Sequence, residues 1–172
     1  MGTLETETGA RGAGAPASVP PRWLTAAEQE AWRAHLATSK LLTRQLDRDL
    51  HPFGLSINDY EILVVLSEAP EHRLRMTDLA DATAQSRSRL SHQITRMEAH
   101  GLVRRDSCPG DKRGLFAVLT DAGLATIERV APHHVESVRR HFINLLDDDQ
   151  LAALREGYAG VIEHLRKIRE RD

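Results

Sequence analysis

The chain has 172 residues, of which 41% are hydrophobic and 28% charged, and its formal net charge at pH 7 is −2. This composition is that of an ordinary soluble protein, and the single cysteine excludes a disulfide within the chain and favours a reducing, cytoplasmic setting. Because no run approaches the roughly 18 apolar residues of a membrane span, and the N-terminus lacks an apolar secretory segment, we expect neither membrane contact nor export.

The N-terminal quarter of the chain predicts an arm followed by one long helix. Residues 1–22 are rich in Gly, Ala, Pro, Thr and Glu, which predicts disorder. Thr25 followed by Glu28 has the form of a capping box. Leucines then recur at helical spacing and predict a helix over 26–51, which a Pro-Phe-Gly sequence ends.

The middle of the chain predicts short helices, a short strand and a hairpin in close succession. The expected elements are a helix capped by Ser56, a strand at 73–76, a helix over 78–83 capped by Thr77, a helix from Ser86 to His100, and strands at 102–107 and 114–120. A short helix, a tight turn and a longer helix form the helix-turn-helix arrangement, and the hairpin adds a wing. The predicted fold is therefore mainly α with a small β-hairpin wing.

Two further helices are expected after the wing. Thr120 or Asp121 should cap the fifth, into which Pro132 introduces a kink, and the sixth should begin at residues 147–149. The first, fifth and sixth helices carry a wider apolar stripe than a small winged domain can cover. A sixth helix with no sheet to rest on needs a partner, which predicts a homodimer.

The fourth helix has the composition of a helix that reads DNA. Leu90, Ile94 and Met97 share one face, which predicts that this face is buried. The rest of the surface carries hydroxyl, imidazole and guanidinium groups, with Ser88, His92 and Thr95 opposite the apolar face, Arg89 and Arg96 on one flank and Ser91 on the other. Such groups suit base edges and phosphates, and Ser86 leaves the positive helix end available to a phosphate. The alternative is an ordinary amphipathic helix with a polar outer face.

Charge is concentrated around this helix. Residues 85–113 contain seven Lys/Arg and three acids, so this segment has a net charge of +4 and the remainder −6. The hairpin turn contributes Asp111, Lys112 and Arg113 at its expected tip, although a tight turn requires glycine and not charge. A local basic patch on an acidic protein indicates an anionic partner, unless the clustering is a chance feature of a solvated face.

In these features the sequence resembles the MarR family of winged helix-turn-helix regulators. The match is strongest over residues 56–125. It is carried by Leu79-Ala80, Ser86, Arg96-Met97-Glu98, the run from Gly101 to Arg105, the pair Asp111 and Arg113, Leu119-Thr120 and Gly123. The Asp-x-Arg pair before a strand that ends in Leu-Thr is specific in this combination, whereas each piece alone is weak.

The resemblance implies a homodimer that binds double-stranded DNA and represses promoters. It implies a recognition helix in the major groove, a wing near the adjacent minor groove, interlocked terminal helices, and release by a small, often anionic aromatic effector. The chain would then comprise a disordered arm at 1–22, an N-terminal dimerisation helix at 23–55, a winged helix-turn-helix DNA-binding domain at 56–120 and C-terminal dimerisation helices at 121–172. A two-fold dimer predicts a pseudo-palindromic site with half-sites about one helical turn apart.

The candidate DNA-binding residues come from the helix-turn-helix and the wing. They are Thr77, Ser86, Arg87, Ser88, Arg89, Ser91, His92, Thr95, Arg96, Asp111, Lys112 and Arg113. Arg113 is expected to enter the minor groove, whose potential favours arginine, while Asp111 orients it and Lys112 contacts a phosphate. The alternative for Asp111 and Arg113 is a surface salt bridge of about 0–1 kcal/mol.

Other residues give weaker indications of an effector pocket, a metal site or a redox sensor. Trp32, His35, Ser39 and Tyr60 could line an effector pocket, but we favour the alternative that Trp32 and Tyr60 are core or dimer residues. His133, His134 and His141 lie on or near one helix without the convergent ligands of a zinc site. Cys108 lies near cations, but oxidation-sensing relatives carry their cysteine in the first helix. We therefore expect neither a metal nor a redox sensor.

An enzyme is not expected, because no phosphate-binding loop, nucleophile motif or carboxylate pair is present, and no cofactor is predicted. The sequence thus predicts a sequence-specific transcriptional regulator. Two alternatives from other classes remain: a winged-helix module that binds an acidic protein, and a dimer that binds a small molecule or metal and whose DNA binding is incidental.

Overall fold

The structure is a computed structural model that describes residues 21–108 and 110–169. Nearly all of the predicted N-terminal arm lies outside these residues. The helices are α1 (Ala26–Leu50), α2 (Ile57–Glu68), α3 (Met76–Ala82), α4 (Arg87–Ala99), α5 (Asp121–His141) and α6 (Asp148–Arg169), with 3-10 turns at His51–Phe53, Pro70–His72 and Ile143–Leu145. The strands are β1 (Arg73–Arg75), β2 (Val103–Cys108) and β3 (Asp111–Leu119). The chain divides into two compact units between His35 and Leu36.

Side-chain caps begin α1, α2, α4 and α5 where the sequence predicts them. The Thr25 backbone N–H donates to Glu28 (2.7 Å), as a capping box requires. Ser56 caps α2, Ser86 caps α4 by accepting from the Arg89 amide (3.3 Å), and Thr120 caps α5. These contacts confirm the predicted order of helices, and α5 continues through Pro132 without a break.

Two local predictions are wrong. Thr77 is not the cap of the third helix: α3 begins at Met76, and the Thr77 hydroxyl donates instead to the neighbouring Asp78 (3.2 Å). The physical reason is that β1 runs directly into α3, so Arg75, which pairs with Phe116 in the sheet, is the last extended residue. The second strand of the wing also starts earlier than predicted, at Asp111 rather than 114, because Asp111 pairs with Cys108.

The three strands form one antiparallel sheet with the order β1-β3-β2. Its central strand β3 packs Ala117 and Leu119 into a core that α2, α3, α4 and α5 share. As predicted, Leu90, Ile94 and Met97 are buried in this core, which fixes the rotation of α4 about its axis and turns its polar side outward. No helix among the described residues is long and apolar enough to cross a membrane.

The end of α4, the start of β2 and the start of α5 pack closely together. The Thr120 hydroxyl shares its hydrogen between the carbonyl oxygens of Gly101 (2.6 Å) and Leu102 (3.0 Å), and it accepts from the Gly123 amide (3.0 Å). A Cβ on Gly123 would lie 2.1 Å from the Leu102 carbonyl oxygen, so only glycine allows this approach. The base of the wing is therefore held close to the end of α4.

Candidate nucleic-acid interface

The outward side of α4 presents the polar groups that the sequence predicts. The exposed candidate residues are Thr77, Ser86, Arg87, Ser88, Arg89, Ser91, His92, Thr95 and Arg96, and Asp111 is half-buried. The side chains of Lys112 and Arg113 lie outside the part of the chain that the structure describes. Within α4 the only acid is Glu98, so the exposed surface of its first three turns carries no negative charge.

A buried carboxylate anchors one flank of α4. Asp59, on α2, has a side chain that is only 8% exposed. It accepts hydrogen bonds from the Ser56 amide (3.0 Å) and hydroxyl (2.6 Å), from the Gln93 side-chain amide (3.1 Å) and from the Arg96 guanidinium (2.6 Å). Four donors thus converge on one group, and two of them belong to α4.

These donors also set the protonation of Asp59. Burial acts to raise the pKa of the Asp59 carboxyl, but the hydrogen bonds from Ser56, Arg96 and Gln93 outweigh it, so the pKa lies below its usual value. The carboxyl is therefore ionised at neutral pH, which is the form that accepts from all four donors.

The opposite flank of α4 is held by Arg105 from β2. Its guanidinium donates to the Ser91 carbonyl oxygen (2.8 Å), to the Thr95 hydroxyl (3.0 Å) and to the Glu98 carboxylate, while its backbone N–H donates to Glu98 Oε1 (2.9 Å). The Thr95 hydroxyl in turn donates to the Ser91 carbonyl oxygen (3.0 Å).

Two of the predicted DNA-binding residues therefore already have partners within the protein. Arg96 is paired with Asp59, and the only hydrogen of the Thr95 hydroxyl is directed at Ser91. Their predicted contact with DNA stays a prediction. Within the described part of the chain, the polar side chains of α4 for which we find no hydrogen bond or ion pair to another element are those of Arg87, Ser88, Arg89, Ser91 and His92.

The wing is joined to β1 by an ion pair that the sequence did not suggest. Arg75 Nη1 lies 3.1 Å from Asp111 Oδ2, and Asp111 Oδ1 accepts from the Gly114 amide (3.1 Å). Arg75 also lies over the Phe116 ring, 5.6 Å from its centroid. Because the Arg113 side chain is not described, the prediction that Asp111 orients Arg113 stays a prediction.

Sequence reasoning missed Arg75 and Arg105, although both lie in the interface region. They line an open cleft of about 340 Å³ between α3, α4 and the wing, together with Thr77, Arg87, Ser91 and Asp111. The available signal was the alternation of charged and apolar residues at 73–75 and the basic pair at 104–105, but the partner of each arginine follows only from the tertiary fold.

The predicted effector residues fall in different places. Trp32 and His35 belong to the N-terminal unit, where their rings stack with centroids 5.6 Å apart. Ser39 lines a shallow groove of about 560 Å³ between α1 and the start of α2, with Lys40, Thr43, Arg44, Asp47, Ile57 and Asn58. Tyr60 does not line this groove but is buried in the core, with its ring 4.2 Å from that of His134.

The histidines of α5 have separate surroundings. Burial lowers the pKa of His134, which packs on Tyr60, whereas His141 lies 3.2 Å from Asp49 and His133 packs on Phe53. Among the described residues no group of three or more His, Cys, Asp or Glu side chains could hold a metal ion.

Comparisons with known proteins identify relatives of this chain among transcriptional regulators. The MarR family model matches residues 53–114. The HTH-type transcriptional regulator PecS of Dickeya dadantii (strain 3937) is 31% identical over 129 residues, which cover 74% of this chain and 76% of PecS.

Two solved structures from Streptomyces coelicolor are also similar to this chain. AbsC, a MarR family transcriptional regulator, is 62% identical, with a TM-score of 0.81 and coverage of 86% of this chain and 99% of AbsC. Sco3205, a MarR family transcriptional regulator solved in complex with DNA, is 46% identical, with a TM-score of 0.81 and coverage of 84% and 91%.

Substitution of Asp59 tests the anchor on the first flank. At pH 7 we expect Asp59→Asn to lower the free energy of unfolding by about 2–3 kcal/mol, because an amide replaces one accepting oxygen by a donor that faces other donors. Since the pKa of Asp59 is lowered by folding, its contribution is complete above the unfolded pKa of about 3.9 and is lost as the pH falls through the folded pKa.

Urea unfolding at a series of pH values measures this difference. The gap in stability between the wild type and Asp59→Asn should close below about pH 4, whereas the exposed control Asp78→Asn should differ little from the wild type throughout. A gap that is absent at pH 7, or that persists unchanged into acid, contradicts the proposed anchor.

Proposed function

Since the chain belongs to the MarR family of transcriptional regulators, we propose that it binds a pseudo-palindromic operator as a homodimer and represses the promoter that contains it. The observation that carries this proposal is the exposed side of α4. There Ser88, Arg89, Ser91 and His92 stand outward on a helix whose opposite face is fixed in the core.

The chemistry of this surface suits the major groove. Arg89 can donate two parallel hydrogen bonds to a guanine, and the hydroxyl and imidazole groups can bond to bases or phosphates. Ser86 caps the helix, and the positive end of the helix favours a phosphate. The local charge of +4 over residues 85–113 supplies the sequence-independent attraction on which such binding depends.

The wing is proposed to contact the adjacent minor groove through Lys112 and Arg113, with Asp111 in an orienting role. The support is the Arg75–Asp111 pair, which ties the start of β3 to β1. An arginine on an anchored strand can be presented to the narrow groove without loss of much conformational freedom.

The apolar face of α6 supports the homodimer. None of the described residues of α6 is buried, and Tyr158, Val161, Ile162, Leu165 and Ile168 lie on one face with 41–58% of their surface exposed. An apolar face of this length is unfavourable in water and is typical of an interface. A second copy related by a two-fold axis covers it with the same face and aligns two reading helices on one duplex.

Release by a small anionic aromatic molecule completes the proposal. The groove at Ser39 brings Lys40 and Arg44, one helical turn apart, to the side of α1 that faces the start of α2. Two cations beside the apolar side chain of Ile57 suit a carboxylate on an aromatic ring.

Substitution of Arg89 tests base reading. On an operator obtained by selection from random duplexes, we expect Arg89→Ala to weaken binding by about 1–3 kcal/mol and to relax the preference at one base pair of each half-site. Binding constants at fixed salt measure the first effect, and repeated selection with the variant measures the second.

Arg139→Ala, which removes an exposed arginine from α5, is the matched control and should leave both quantities near the wild type. If the wild type binds its selected duplex no more tightly than a random one, the proposal fails. If Arg89→Ala abolishes binding to an acidic protein instead, the chain is an interaction module.

A charge placed on α6 tests the dimer. Leu165→Glu should make the chain monomeric at micromolar concentration, because it places a carboxylate in an apolar interface. Gly160→Glu adds the same charge on the other side of α6, where a Cβ meets no atom within 4 Å, and should stay dimeric. Sedimentation equilibrium distinguishes the two states, and a dimeric Leu165→Glu variant would place the interface elsewhere.

The groove is tested by competition. Aromatic carboxylates, titrated into the complex of the wild type with its operator, should release the DNA, and Arg44→Ala should require at least about tenfold more of the compound because one cation is lost. Equal sensitivity of the two proteins would exclude this groove as the effector site.

A further inference from the structure

We propose that Glu98 and Arg105 form a brace between β2 and α4, and that this brace positions the reading helix relative to the wing. Arg105, Glu98 and Thr95 are then positioning residues rather than groups that contact bases. This inference rests on the proposed function, since it assigns a role to residues that surround the DNA-reading surface.

The brace spans two turns of α4. Its contact points on the helix are Ser91, Thr95 and Glu98, which follow at intervals of four and three residues and therefore lie on one flank. The guanidinium of Arg105 reaches all three, and its backbone N–H adds a second bond to Glu98. A single residue of β2 thus contacts α4 at three points along two turns of the helix and adds to the hold of the buried apolar face.

Arg105 is poorly placed to serve DNA directly. Its side chain is only 20% exposed, and the guanidinium donates to a carboxylate, a carbonyl and a hydroxyl at once. Charge-assisted hydrogen bonds of this kind are stronger than neutral ones, so a phosphate would have to displace Glu98 to gain the same donors. Arg105 lines the cleft, but its guanidinium is therefore already hydrogen-bonded within the protein.

The Thr95 hydroxyl is likewise hydrogen-bonded within the protein. Its hydroxyl hydrogen is directed at the Ser91 carbonyl oxygen, and one lone pair accepts from Arg105. A threonine used in this way has no hydrogen left to donate to a base acceptor. Through its hydrogen bond with Arg105, the side chain instead links the middle of α4 to β2.

The sheet explains why a brace at Arg105 sets the angle of the wing. Arg105 pairs with Ala117 of β3, and the first residue of β3 is Asp111, beside the hairpin turn. If α4 rotated relative to the sheet, every contact of Arg105 with the helix would be strained together. The major-groove and minor-groove elements therefore approach DNA as one rigid unit.

A double-mutant cycle of Thr95→Val and Glu98→Gln on the selected operator tests the brace. We expect each substitution to lower operator affinity about five- to tenfold and the double variant to lose no more than about tenfold, because both remove one shared network. Thr95→Ser keeps the hydroxyl and should stay within about twofold of the wild type. The base preferences found by selection should be unchanged in all four variants. A lost base contact would change those preferences, and a merely destabilised protein would not show the non-additive losses.

Glu128→Gln on α5 controls for the removal of a negative charge from a DNA-binding protein and should leave the affinity unchanged. If the losses of operator affinity in the two single variants add up in the double variant, or if Thr95→Val changes the preference at one base pair, Thr95 is a base-reading residue and the brace is overturned. A wild type that selects no sequence overturns the proposed function instead, so the two failures are distinguishable.

Amide hydrogen exchange in the full chain without DNA gives an independent result. In Glu98→Ala the Arg105 amide should exchange at least about tenfold faster, because its acceptor is removed. The Leu90 amide, which donates to the Ser86 carbonyl oxygen, should exchange at the wild-type rate and show that α4 is intact. An unchanged Arg105 exchange rate overturns the brace even if DNA binding is never measured.

Discussion

A carboxylate that is buried as deeply as Asp59 must accept hydrogen bonds or become protonated. Here the donors come from its own helix cap and from Gln93 and Arg96 of α4. Only one placement of α4 against α2 satisfies the group. The packing of Leu90, Ile94 and Met97 holds α4 against the core, but apolar contacts tolerate sliding. The hydrogen bonds to Asp59 are directional, and they select one register of the helix.

The two flanks of α4 perform matching tasks. Asp59 of α2 holds the helix on one side, and Arg105 of β2 holds it on the other. Between them a strip that includes Ser88, Arg89 and His92 is left facing outward. A surface that must meet base edges gains from such rigidity, since little order has to be imposed when DNA binds. The wing benefits as well, because Arg105 joins its first strand to the same helix.

The sequence predicted the features that depend on near neighbours. The capping residues Ser56 and Ser86 act within one turn, and the buried face of α4 follows from helical spacing, so both could be found without a fold. The pairs Asp59–Arg96 and Arg75–Asp111 join residues 37 and 36 positions apart, and nothing local indicates them. The same reason explains the error at Thr77, where pairing of β1 with β3 extends the chain up to Arg75 and overrides a favourable cap. A helical projection predicts Arg96 and Thr95 as DNA contacts because it places them on the exposed side of α4, but it cannot show that a neighbouring element already binds them.

A crystal structure of the dimer with its selected duplex tests the central claim most directly. We expect Arg96 to remain on Asp59 and Arg105 to remain on Glu98 and Thr95, while Arg89 and its exposed neighbours contact base edges in the major groove of each half-site. If Arg96 or Thr95 leaves its partner within the protein to contact a base, the division of α4 into anchoring flanks and a reading face is wrong.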